Sequence, residues 1–228
     1  MSSVPAPAKS PEFKSRLFEG LAPRDVSAVL GLATQQRMSG GAVIFNQGDP
    51  AANLYILAQG RARHFYTTPE GQKMLLPWIV PGDVFGVAAL LPETTAYLVS
   101  TETVIASSLL QWDSALIRGF AERHPRMLGN AFAIAADHMQ WALDAHVGLL
   151  CHSARERLAQ TLVNLAHDIG SNAKDGVELE VTNEDLADAA SVTRFTASRL
   201  MSEWHRRGIV TKSRGKVLLR CPEKLFTR

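Results

Sequence analysis

Seven side chains, Leu128, Phe132, Ala135, Met139, Ala142, His146 and Leu149, recur behind Pro125 at alternating spacings of 4 and 3 residues. Only an α-helix puts such a set on one face, and a 4-3 alternation held for about three heptads is the a/d stripe of a helix lying against another helix. Ala135 and Ala142 leave room for close approach, so the economical partner is a second copy of the chain. The stripe has an alternative use, packing on the chain's own β unit, because a long helix has more than one face. In either case the helix, read as residues 125–150, divides the 228-residue chain into a part before it and a part after it.

The part before it, residues 11–124, opens behind a flexible N-terminus of residues 1–10, where Pro5 and Pro7 sit among small side chains without periodicity. Phe13, Leu17 and Phe18 give one short apolar face. Pro23 suits the first turn of a helix carrying Val26, Val29, Leu30 and Leu32. From Gln35 to Leu110 the pattern changes to short apolar runs: Val43 to Phe45, Leu54 to Leu57, Met74 to Val80 and Thr103 to Ala106. Turn signals separate them at Gln47 to Pro50, Gln59–Gly60, Pro69 to Gly71 and Pro81 to Asp83, which is the spacing of a small antiparallel roll.

The part after it, residues 151–228, is helical and then basic. A helix from Ala154 to His167 carries Leu158, Leu162 and Leu165, and Gly170 to Asn172 ends it. Thr182 followed three residues later by Asp185 is a capping-box start for a short helix. Thr193 caps the next helix, with Ala197, Leu200, Met201 and Trp204 inward and Phe195, Ser198, Arg199, Ser202 and Arg206 on the opposite face. Two helices joined by a tight turn, the second basic on its open face, match a helix-turn-helix, and Ile209 to Leu219 then reads as a β-hairpin wing with a basic tip.

Charge sharpens that reading. The net charge is only +2, but residues 191–228 carry ten basic against two acidic groups, while the other 190 residues carry fourteen against twenty. A compact cationic end on an acidic chain points to a polyanion, nucleic acid first. With 46% hydrophobic residues the chain can bury a core, which excludes wholesale disorder. Two cysteines, Cys151 and Cys221, cannot build a disulfide framework, nor by themselves a structural zinc site or an iron–sulfur cluster. No secretory signal or membrane span is read, so a cytoplasmic location and no membrane partner are expected.

Three stretches together resemble the cyclic-AMP receptor / fumarate-nitrate regulator (CRP/FNR) family of bacterial transcription factors: the roll glycines in Asn46 to Asp49, Gln59–Gly60 and Pro81 to Gly86; the helix Arg157 to Ala166; and Thr182 to Leu200. The resemblance implies an α+β fold, with an N-terminal cyclic-nucleotide-binding-like β-roll, a long dimerisation helix and a C-terminal winged helix-turn-helix. It implies a homodimeric, sequence-specific regulator that binds double-stranded DNA, works with RNA polymerase and is not an enzyme. Carried over residue by residue, Arg194, Phe195, Ser198 and Arg199 fall where the family reads base edges. Phe195 departs from the Glu often found there and can touch a thymine methyl but accept nothing from cytosine. Thr182, Lys212, Arg214 and Lys216 are expected on phosphates.

The effector region departs further. Family members that bind cyclic nucleotides hold the ribose with a Gly-Glu pair and the phosphate with an Arg about ten residues on. Here Gly86 precedes Val87, Thr94 and Thr95 stand near the Arg position, and Met74 to Ile117 contains no Lys or Arg. A phosphate held without a charged partner loses its stronger bonds. Ala142 and Leu143, where adenine is met, have no hydrogen-bonding side chain. The expected pocket set is Gly82, Val84, Phe85, Gly86, Val87, Ala88, Thr94, Thr95, Ala142 and Leu143, apolar enough for a hydrophobic ligand, a haem or a filled core. Cyclic AMP and an iron–sulfur cluster are not expected, and the effector stays unknown. His64, His138 and His146 lie in elements that could face the roll–helix junction, and imidazole is a haem or metal ligand. An effector-independent DNA binder remains an alternative. A cupin-like metal enzyme needs clustered His and Glu on strands, and His64 is the one histidine in the roll.

Overall fold

A computed structural model describes residues 14–91 and 95–227; Thr94 and the N-terminal residues 1–10 lie outside the described residues. The chain forms two compact units, one taking the chain to Ala62 together with Ile79–Ala136, the other Arg63–Trp78 together with Asp137–Arg228.

In the first unit α1 (Pro23–Gly31) precedes β1 (Thr34–Met38), β2 (Val43–Phe45) and β3 (Asn53–Gln59). After the hairpin β4 (Ala62–Thr67) and β5 (Lys73–Ile79) come β6 (Val84–Phe85), β7 (Ser100–Thr103) and β8 (Ser107–Asp113). One sheet has the order β1-β8-β3-β6, and β2 pairs with β7. β3 is apolar on both faces because each face meets a different core. The two-residue period sends Leu54 and Ile56 to a cluster with Val84, Trp112 and Ile117, and Tyr55 and Leu57 to one with Phe45, Phe85, Tyr97 and Leu109. Trp112 is fully buried, and its indole Nε1 donates to the Val29 carbonyl at 2.7 Å, which ties α1 to the sheet. Gly60 has φ +96°, and a Cβ there would stand 2.3 Å from Ser107 Oγ, so only glycine turns the chain at that point.

Two sequence expectations change here. The run Thr103 to Ala106, read as a strand, is strand only at Thr103; Val104, Ile105 and Ala106 form the bend joining β7 to β8, with Ile105 exposed. Apolar composition alone does not separate a short strand from a bend between two strands. Before α1, the apolar face at Leu17 and Phe18 becomes a single 3-10 turn, Arg16–Phe18, with Leu17 in the core.

After β8, Asp113 caps α2 (Ser114–Arg123) by accepting from the amides of Ala115 and Leu116. α3 (Pro125–Cys151) follows as one 27-residue helix. Its first half packs on the first unit through positions other than the heptad stripe. Met127, Ala131 and Ile134 are the residues buried in the first unit's core, while Leu128, Phe132 and Ala135, one position round the helix, are exposed. Phe132 is 77% exposed and Met139 65%.

The second unit's core is built by α4 (Ala154–Ile169), α5 (Asn183–Ala189) and α6 (Arg194–Arg206) over a sheet of β9 (Ser171–Ala173), β10 (Gly176–Leu179), β11 (Val210–Ser213) and β12 (Lys216–Leu219). Its strand order is β11-β12-β10-β9, so the wing is no free hairpin: Val177 and Leu179 of β10 sit opposite Leu219 and Val217 of β12. Leu158, Leu162, Leu186, Leu200, Met201 and Trp204 are buried together. Within the same unit Trp78 of β5 packs against this cluster, and Arg63 of β4 meets Asp185 at 2.8 Å.

Candidate nucleic-acid interface

The interface begins with two local caps. Thr182 accepts from the Asp185 amide at 3.1 Å while the Asp185 carboxylate accepts from the Thr182 amide at 3.0 Å, the reciprocal box that starts α5. Thr193 accepts from the Thr196 amide at 3.1 Å and starts α6. Between the helices Ser191 takes φ 50°, a left-handed conformation disfavoured for an L side chain. The turn is held from outside by Arg157 of α4. Its Nε and Nη2 donate to the carbonyls of Ala190 and Ser191 at 3.0 and 3.1 Å, and its Nη1 donates to the His152 carbonyl at 2.9 Å. One guanidinium thus fixes the bend between the helices to the start of α4. Arg157 stood in the sequence only as part of a helical motif; nothing local marks it as a clamp, because its partners are carbonyls 33 and 34 residues away.

These caps aim α6. Ala197, Leu200, Met201 and Trp204 are buried, which turns Arg194, Phe195, Ser198 and Arg199 outward, all four exposed. Phe195 is 79% exposed. Arg199 has no ion-pair partner among the described residues and lines a cleft of about 490 Å³ with Ser153, Ala154, Arg155 and Leu200. Arg194 is engaged: its Nη2 pairs with Glu184 of α5. Arg155 binds both carboxylate oxygens of Glu203 at 2.6 Å, which holds the Glu203 carboxyl below the usual carboxylate range and steadies the back of α6.

A second, smaller cleft of about 140 Å³ gathers Thr182, Asn183, Lys212, Gly215 and Lys216. Three of the four expected phosphate contacts, Thr182, Lys212 and Lys216, therefore line one cleft, and Arg214 stands exposed beside it at the wing tip. Lys216 meets Glu178 at 2.7 Å and Glu180 at 3.6 Å, and the Glu178 carboxylate pushes its ammonium pKa up. The sequence reading of the wing contained neither acid, because it missed β9 and β10.

Of the expected effector set, Gly82, Val84, Phe85, Gly86, Val87, Ala88 and Thr95 belong to the first unit. Val84 and Phe85 are buried in the first unit's core, 5% and 1% exposed. Phe85 stacks on Tyr55 at 5.3 Å, and Phe45 stacks on Tyr97 at 3.8 Å. Burial pushes the Tyr97 phenol pKa up, and its hydroxyl donates to the Asn53 carbonyl at 2.7 Å. Gly82 is buried and Gly86 takes φ +73°, ahead of a 3-10 turn, Val87–Leu90; a Cβ on Gly86 would lie 2.9 Å from the Asn53 carbonyl oxygen. Val87 and Ala88 are half-buried, and the Thr95 hydroxyl donates to the Ala88 carbonyl at 3.1 Å. Ala142 and Leu143 are exposed members of the second unit. Of the three histidines singled out, His64 and His138 meet edge to face with centroids 6.3 Å apart, and His146 is exposed on α3. Among the described residues no group of three His, Cys, Asp or Glu side chains is placed to hold a metal, and no helix is long and apolar enough to cross a membrane.

A capped helix pair with an exposed cationic second helix, a sheet-backed wing and a preceding antiparallel β-sheet unit define a DNA-binding regulator with a sensing domain. Comparison with known proteins agrees. Residues 35–124 match the cyclic nucleotide-binding domain and residues 156–227 the Crp-like helix-turn-helix domain. A cyclic AMP receptor protein of Thermus thermophilus is 33% identical over 210 residues, 90% of this chain and 93% of that one. In fold, the chain matches the c-di-GMP responsive global regulator CLP of Xanthomonas campestris with TM-score 0.76 at 18% identity, over 87% of this chain and 99% of that one. It also matches FixK2 of Bradyrhizobium japonicum with TM-score 0.74 at 22% identity, over 85% and 95%. The chain belongs to the CRP/FNR family of DNA-binding transcriptional regulators.

Proposed function

We propose that the chain acts in the cytoplasm as a homodimer, with residues 11–124 as sensor, 125–150 as dimerisation helix and 151–228 as reading head. Two α6 helices would enter adjacent major grooves of a pseudo-palindrome about one turn apart. Arg194, Phe195, Ser198 and Arg199 read base edges, Arg199 as a bidentate donor to guanine and Phe195 against a thymine methyl. Thr182, Lys212, Arg214 and Lys216 take phosphates. The observation that carries this reading is the outward face of α6, where those four side chains stand exposed while its other face is buried. Leu128, Phe132, Ala135, Met139, Ala142, His146 and Leu149, all exposed in the single chain, form the dimer seam, and RNA polymerase is the further partner.

The sensor does not read cyclic AMP in this proposal. The ribose carboxylate is replaced by Val87, and the Thr95 hydroxyl already donates to a backbone carbonyl. The rings of Phe45, Tyr55, Phe85 and Tyr97 fill the space beside β3 and β6, an arrangement that favours the second reading, a regulator whose DNA binding needs no effector. Titrating candidate ligands into a DNA-binding assay separates the two.

Selection of duplexes from a random pool, followed by two variants, tests the division of labour. Arg199→Ala lowers affinity for the selected duplex by about 1–3 kcal/mol and relaxes one base position. Lys216→Ala weakens binding to every duplex alike and shallows the salt slope by about one. Equal losses on selected and random DNA in both variants would sink the assignment.

A further inference from the structure

The pair between Arg194 and Glu184 joins the first turns of α5 and α6 on the proposed reading surface. Arg194 is the first residue of α6, at the positive end of the helix dipole, where a cation is disfavoured and an acid would be welcome. The first turn of α6 holds no acid of its own. Glu184, from the first turn of α5, supplies the missing negative charge across the turn. Its acidic neighbours face other groups. Asp185 is committed to the capping box and to Arg63. Asp188 has its pKa raised, by burial first and then by Glu184, and feels Arg194 only through space.

Both partners are largely solvent-facing, with side-chain exposures of 70% for Arg194 and 55% for Glu184. A bare carboxylate there would meet the polyanion that the same face is proposed to bind. Arginine has five donors in a fixed fork, so Nη2 on Glu184 leaves the others for the O6 and N7 acceptors of a guanine. Moving Arg194 onto a phosphate instead would strip Glu184 of its counter-charge beside the DNA.

We propose that Glu184 is a positioning residue that sets specificity. It holds the Arg194 guanidinium where it can read a base edge and penalises its use as a general phosphate clamp. The inference deepens the proposed DNA reading and rests on Arg194 being a base contact.

The test uses the full-length protein with selected and random duplexes over a range of salt, comparing wild type, Glu184→Gln and Arg194→Ala. Thermal melts establish that both variants fold. For Glu184→Gln, which keeps the side-chain shape and removes the charge, random-DNA affinity rises several-fold, since one repulsion goes. Its salt slope on random DNA steepens by about one as Arg194 becomes free for phosphate. The selected-to-random affinity ratio falls about tenfold, the scale of one well-placed bidentate contact. An unchanged ratio and slope in Glu184→Gln, with the ratio lowered in Arg194→Ala, overturns the role of Glu184. A ratio unchanged in Arg194→Ala overturns the base-contact assignment itself.

Discussion

Arg157 concentrates more of the reading head's geometry in one side chain than any cap does. Three backbone carbonyls, from His152, Ala190 and Ser191, converge on its guanidinium, and two of them belong to the turn in which Ser191 takes the strained left-handed conformation. Hydrogen bonds to a charged donor stabilise by roughly 1.5–3 kcal/mol, and the exposed carbonyls recover part of that from water. Arg157→Ala is therefore expected to cost about 2 kcal/mol in chemical denaturation. It should also raise hydrogen exchange at the turn amides of Ser191 and Val192 ahead of the rest of the head. A variant as stable as wild type, with unaltered exchange there, would show the clamp to be incidental. Residues of this kind were not legible in the sequence: Arg157 and Glu184 act on partners that lie near only once the helices have crossed. Thr182, Asp185 and Thr193 were legible, because a cap is a contact over three residues.

Among the elements, α3 was the plainest in sequence and β9 with β10 the most hidden. A stripe of seven positions has one geometric solution, and the single 27-residue helix follows. β9 is entirely exposed and has only three residues, Ser171 to Ala173, and β10 has only four, so neither gives a run long enough to stand out. The alternation of Val177, Leu179 and Val181 with Glu178 and Glu180 behind Asp175–Gly176 was the available signal. Missing it hid the acids that pair with Lys216. The seam on α3 yields an element-scale prediction. Phe132 and Met139 stand 77% and 65% exposed in the single chain, so glutamates there cost it little. In a dimer they would bury unpaired charge, a penalty of several kcal/mol. Sedimentation equilibrium of the Phe132→Glu, Met139→Glu double variant should show monomers where the wild type shows dimers. A variant that dimerises as tightly as wild type would place the interface elsewhere.

At the scale of the whole molecule the chain separates reading from sensing. The reading head offers charge, exposure and capped geometry on one face, and its assignment to the CRP/FNR family agrees with all three. The sensor keeps the fold of a cyclic nucleotide-binding domain while filling part of its interior with stacked rings. Val87 follows Gly86, and no Lys or Arg stands between Met74 and Ile117, so the fold by itself does not carry ligand specificity. In the proposed dimer, function at this scale depends on two heads held at a fixed distance by a paired helix. The most direct measurement is the affinity of the full-length protein for a series of duplexes carrying its two selected half-sites, with the separation increased stepwise. Insertion of about 5 base pairs, half a helical turn, rotates one half-site to the opposite side of the duplex and should reduce binding to that of a single half-site, with one dimer bound per duplex at the native spacing. Affinity indifferent to spacing, with one subunit bound per half-site, would contradict a paired reader.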